Sequence, residues 1–72
     1  LKKVSLRGCG IRDLTHVAKL QQLTILTLGE NDLENIEPLS AMTNLEALSL
    51  FDNQITDLRP VKTLERLTML SV

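Results

Sequence analysis

Aliphatic side chains return along the chain at unequal intervals, and the whole pattern recurs every 22 residues. LTILTLGENDLENIEPLSAMTN, residues 23–44, laid over the next stretch of equal length, falls on LEALSLFDNQITDLRPVKTLER, residues 45–66. LKKVSLRGCGIRDLTHVAKLQQ, residues 1–22, is a further copy, and LTMLSV, residues 67–72, begins another. With phases counted from Leu1, Leu23, Leu45 and Leu67, seven phases carry only apolar side chains. Phase 1 holds those four leucines, phase 4 holds Val4, Leu26, Leu48 and Leu70, and phase 6 holds Leu6, Leu28, Leu50 and Val72. Phase 11 holds Ile11, Leu33 and Ile55, and phase 14 holds Leu14, Ile36 and Leu58. Phase 17 holds Val17, Leu39 and Val61, and phase 20 holds Leu20, Met42 and Leu64. A period kept without insertion or exception is the mark of a repeat architecture.

Each copy predicts the same local elements. From phase 3 to phase 7 outward and inward positions alternate, as in ILTL and ALSL, which is the two-residue period of a strand. Such strands in successive copies are expected to stack in parallel. Asn31 and Asn53 then hold phase 9, where the first copy has Cys9. An asparagine here marks a turn away from the sheet, where its amide can serve backbone groups that strand pairing no longer satisfies. Cys9 can make only a weaker version of those bonds, as fits a position near the end of an array or a tolerated variant. After the turn the inward phases lie three apart, a spacing that suits a 3₁₀ or loosely helical return arm. Pro38 and Pro60, both at phase 16, agree with this. Proline inside a regular helix costs about 3 kcal/mol but is accepted in a first turn or an extended approach. A coiled coil is excluded, since its apolar positions recur about every 3.5 residues and this frame is interrupted by Gly8, Gly10 and Gly29 near the turns.

The resulting unit, LxxLxLxxNxIxxLxxLxxL, resembles the leucine-rich repeat over the whole chain. The resemblance implies an α/β solenoid, a right-handed superhelix with short parallel strands on its concave face and 3₁₀ or irregular return arms. The repeats are 1–22, 23–44 and 45–66, with a partial repeat at 67–72. The strings NDLENIEPLSAMTNL and NQITDLRPVKTLERL are similar to those of the internalins, whose coils read roughly NxIxDIxPLxxLTNL. Asp13 and Asp57 match the Asp of that pattern, Pro38 and Pro60 its Pro, and Thr43 with Asn44 its TN. The first coil departs, with Cys9 in place of Asn and His16 in place of Pro. Resemblance to internalins implies a bacterial surface or secreted protein that binds other proteins. The alternative is an intracellular relative of the phosphatase-regulator subclass, which shares the leucines and is less committed to the proline.

Composition narrows the picture further. The chain is 43% hydrophobic with one Phe and no Tyr or Trp, which suits a stack of like layers. A coil has no lids of its own, so stability is a sum over coils and their interfaces. With Leu and Val edges at both ends and no polar cap, the segment is expected to belong to a longer array and, in isolation, to fold weakly or self-associate. The net charge of −1 speaks against a general polyanion binder such as a nucleic-acid domain. Its distribution is uneven. The first coil has Lys2, Lys3, Arg7, Arg12 and Lys19 against Asp13, the second has Glu30, Asp32, Glu34 and Glu37 with no base, and the third is nearly balanced. One cysteine cannot form an internal disulfide, and no apolar run approaches the roughly 20 residues that span a bilayer.

Candidate chemistry is sparse. His16 and Cys9 are the only imidazole and thiol, placed on a return arm and at a turn, and nothing in their spacing orients them as base and nucleophile. The glycines form no phosphate-cradling motif, and ENDLENIE lacks the glycine and spacing of an EF-hand. No cofactor or metal is implied, and the reading is non-enzymatic.

The apolar residues outside the seven inward phases are Cys9, Ala18, Ile25, Ala41, Ala47, Phe51 and Met69. Ile25, Ala47 and Met69 share phase 3, whose parity is outward, and Phe51 is outward at phase 7. Plain strand preference accounts for Ile and Phe at such positions. Exposed apolar groups flanked by charge also mark partner sites. Ser5, Thr27, Ser49 and Ser71 line phase 5 beside this row, and Glu30 and Asp52 at phase 8 form an acidic rim. The expected partner-binding residues are therefore Ile25, Ala47, Phe51 and Met69, with Glu30 and Asp52 tuning the partner's charge. The expected function is protein recognition through the concave sheet. The rival expectation is a structural spacer that positions a binding region elsewhere in a larger array.

Overall fold

The computed structural model describes residues 2–72; Leu1, the first member of phase 1, lies outside the described residues. Strands β1 (Lys2–Ser5), β2 (Leu23–Thr27), β3 (Ala47–Ser49) and β4 (Met69–Ser71) form one parallel sheet in that order. Pairing follows the sequence period: Lys3 faces Ile25, Ile25 faces Ala47, and Ala47 faces Met69. The register shifts once, between Lys2 and Lys3. Return arms carry 3₁₀ turns at Val17–Lys19, Glu37–Ala41 and Arg59–Thr63, the last two with proline in the first turn. The described residues thus form a leucine-rich-repeat solenoid.

Strands β1, β2 and β3 end at phase 5, two residues earlier than the alternation predicts. Asparagine is the reason. The phase 6 amides still join the ladder, Leu6 N–H donating to Thr27 O at 2.8 Å and Leu28 N–H to Ser49 O at 2.8 Å. The phase 6 carbonyls turn instead to the asparagine of the following coil, Leu6 O accepting from Asn31 Nδ2 and Leu28 O from Asn53 Nδ2, both at 2.9 Å. Two residues on, the backbone at phase 8 is left-handed, with φ of 66° at Gly8, 58° at Glu30 and 53° at Asp52. That conformation takes the chain out of the pleat.

Asn31 is buried, and its amide is used on both sides. Nδ2 donates to Leu6 O, Leu28 O and Gly29 O, while Oδ1 accepts from Cys9 N–H at 2.9 Å and Ile11 N–H at 3.0 Å. Asn53 repeats the arrangement one coil later, with Leu33 N–H on its Oδ1 and Leu28, Leu50 and Phe51 carbonyls on its Nδ2. Only an amide fits, because a carboxylate would meet three carbonyl oxygens with no proton to offer. Each asparagine serves the turn of the coil before its own. Cys9 has no such turn to serve among the described residues, and its thiol makes one long contact, donating to Arg7 O at 3.5 Å.

Phase 13 starts the return arm by a second repeated device. A side-chain oxygen accepts the backbone N–H two residues on, from Asp13 to Thr15, Asn35 to Glu37 and Asp57 to Arg59, at 2.9, 2.9 and 3.0 Å. This local turn needs only a short side-chain acceptor, so Asp and Asn are interchangeable in it.

The core lies between sheet and arms and is densest in the middle coil. Leu23, Leu26, Leu28, Leu33, Ile36, Leu39 and Met42 are all buried, whereas Leu20, Leu58, Leu70 and Val72, in the same phases of the outer coils, are exposed. No helix among the described residues is long and apolar enough to cross a membrane.

Candidate protein interface

The outward face of the sheet carries three parallel rows. Because partners in the sheet lie one period apart, phase 3 becomes a continuous row of Lys3, Ile25, Ala47 and Met69. The phase 5 row of Ser5, Thr27, Ser49 and Ser71 runs beside it. Ile25 and Ala47 are half-buried by their neighbours, and Met69 at the open side of β4 is 69% exposed. A shallow depression of about 410 Å³ lies over Ile25, Thr27, Ala47, Ser49, Met69 and Ser71. Another, of about 570 Å³, lies at the open end of the first coil between Lys2, Lys3, Lys19, Leu20 and Leu23.

The third row, phase 7, holds Arg7, Gly29 and Phe51, and it is where sequence reasoning saw least. Phe51 does not stand out into solvent but is half-buried. Its ring lies over Gly29, where a Cβ would overlap Phe51 Cε1. The ring also comes beside Arg7, whose guanidinium carbon is 5.2 Å from the ring centroid, within the range of cation–π attraction. Arg7 Nε donates to Glu30 Oε2. That bond and the accompanying charge hold the Glu30 carboxyl below its usual range and push Arg7 up. Both partners are largely exposed, so the ion pair itself adds little stability.

Five of the six expected residues thus fall into two groups. Ile25, Ala47 and Met69 are neighbours in one row; Phe51 and Glu30 meet beyond the phase 5 row, joined by a bond from Glu30 N–H to Phe51 O at 2.9 Å. Asp52 is exposed at the left-handed position next to Phe51, and its charge reaches Arg7. Arg7, Gly29 and Lys3 were not foreseen as part of this face. The signal was in the sequence, as a glycine standing between an arginine and the only aromatic residue at one phase. His16 lies on the opposite arm just before the 3₁₀ turn Val17–Lys19, and Cys9 is exposed at the turn after β1.

No family model matches the chain, and neither does any curated protein. Solved structures do. The chain aligns over 99% of its length with internalin C2 of Listeria monocytogenes, at 41% identity and a TM-score of 0.94. The chain is built of internalin-like leucine-rich repeats. The internalin inlF of the same organism aligns over 97% of the chain at 37% identity and a TM-score of 0.91. The internalin-like segment spans 31% of the first of these proteins and 21% of the second. All three coils carry the phase 13 turn, and the second and third add the asparagine of the ladder and the proline-opened 3₁₀ arm.

Proposed function

We propose that the chain is a protein-recognition module that binds a partner protein through the outward face of its sheet. The observation that carries this reading is the row of Ile25, Ala47 and Met69, which sheet pairing makes continuous on a surface with a shallow depression over it. A rigid sheet presents such groups at small ordering cost, and apolar anchors surrounded by polar rim residues are the usual source of interface affinity. Ser5, Thr27 and Ser49 supply hydrogen-bonding groups alongside, and Glu30 and Asp52 the charge at the edge. The likeness to internalins supports a bacterial surface or secreted setting for the parent protein.

The opposite surface, with Glu37, Arg59 and Lys62, offers charged and flexible side chains and no shared apolar row. Partner capture is expected to be lost in a chain carrying Ile25→Ser and Met69→Ser, and kept in one carrying Arg59→Glu and Lys62→Glu, with circular dichroism confirming that both fold. The reverse result overturns the assignment of the working face. Retention of capture by both chains identifies the segment as a spacer.

A further inference from the structure

We infer that Arg7 is a partner-binding residue and that the group it takes from the partner protein is the carboxylate of an Asp or Glu side chain. The inference rests on the sheet face being the binding surface. It begins with Gly29. The left-handed glycines are Gly8 and Gly10, so the backbone at Gly29 does not require glycine; the Phe51 ring does, because a Cβ at 29 would overlap three of its carbons. With no side chain there, the ring reaches back across the second coil to the guanidinium of the first.

Arg7 is therefore held from two directions. The Phe51 ring bounds one side, and Glu30 takes Nε. Among the described residues, neither terminal nitrogen of Arg7 donates a hydrogen bond within the chain, and its side chain is 58% exposed. Arg59 shows the contrast: its Nε and Nη2 close on Asp57 of the same turn. An arginine normally loses much rotamer freedom when it binds; one already held in place loses less.

The open edge selects its ligand. Paired terminal amino groups match the two oxygens of a carboxylate in a planar, two-bond contact. A phosphate would bring a second negative charge toward Glu30, bonded to Nε, and Asp52, whose charge also reaches Arg7. Lys3 continues the apolar row into the first coil on the same face of β1, so cationic groups gather at this end of the row. The partner surface that fits has an apolar segment over Ile25, Ala47 and Met69 and an acidic residue over Arg7.

The test uses peptides selected on the 72-residue chain from a random-peptide display library. Peptides that lose binding on Ile25→Ser or Met69→Ser chains are the sheet-face binders. They are expected to carry Asp or Glu beside apolar residues, and to bind about tenfold more weakly to Arg7→Lys, which keeps the charge and loses the planar fork. Changing that acid to its amide is expected to weaken binding to the unmodified chain and to have little further effect on Arg7→Gln, which lacks the charge as well as the fork. Gly29→Ala, which displaces the ring and leaves every charge in place, is expected to weaken the same peptides. Sheet-face peptides without an acid, or indifferent to Arg7→Lys, overturn the inference and leave the sheet-face reading standing. Tighter binding by a peptide with phosphoserine at the acidic position overturns the choice of carboxylate. If no selected peptide responds to Ile25→Ser or Met69→Ser, both readings fail.

Discussion

The middle coil, residues 23–44, and the coils on either side of it are written in the same apolar code and are not equally buried. Ile36 is 1% exposed and Leu58, its equivalent one coil later, is 39% exposed; Met42 is 1% exposed and Leu20, its equivalent one coil earlier, is 48% exposed. Nothing in the side chains differs enough to cause this. In a solenoid each layer is covered by its neighbours, so burial belongs to a position in the stack as much as to a residue.

The largest expected effect follows from that difference. Ile36→Ala is expected to cost about 2–5 kcal/mol in urea unfolding, because a buried side chain leaves a cavity in a layer closed on both sides. Leu58→Ala is expected to cost no more than about 1 kcal/mol, since much of its surface is already wet. Equal costs would show that the third coil is covered in solution as the second is.

Asn31 and Cys9 make the same comparison at the turn. Asn31→Ala is expected to cost roughly 1–3 kcal/mol, since it strips partners from backbone groups of two coils. Cys9→Ala should leave the unfolding midpoint nearly unchanged, because its thiol makes only one long contact. Asn31→Asp distinguishes the amide's donor role from its acceptor role. If Nδ2 matters as the three carbonyl contacts indicate, the acid is as damaging as alanine at neutral pH.

The smallest effect concerns phase 13, where two coils use an ionisable group and one does not. Thr15 holds the Asp13 carboxyl low through its hydroxyl and backbone N–H, and the Arg59 side chain and N–H hold Asp57 down to about 2. Groups whose folded pKa is depressed favour the folded state above their unfolded pKa and lose that contribution as the pH falls through the folded value. The melting temperature is therefore expected to fall between about pH 4 and the Asp57 value of about 2. The Asp13→Asn, Asp57→Asn chain should lose part of that slope while keeping the turn, because Asn35 already makes the same backbone bond in the second coil. An unchanged slope would locate the acid sensitivity elsewhere.

The candidate interface was half legible. Parity alone was enough to put Ile25, Ala47 and Met69 on one face, since a strand sends alternate side chains to opposite sides. Parity does not say how far a side chain leans. Phe51 was expected to face solvent and instead lies over Gly29, because a missing side chain in the neighbouring coil left space that the ring fills. Arg7 was legible only as one charge among several in a basic coil; its place beside the ring and Glu30 depends on three residues from three different coils.

By itself the sequence determined the period, the parallel register and the face of each strand residue. These follow from one local rule repeated at fixed spacing, and stacking identical units leaves a single in-register solution. It also determined the turns, whose asparagines and phase 13 acceptors work within one or two coils. The tertiary structure alone decided which layers are sealed and which lie open, where each strand gives way to its asparagine, and how Arg7, Gly29 and Phe51 combine. Those outcomes depend on what the neighbouring coil happens to carry at the same phase, and contacts between layers arise only when the layers are stacked.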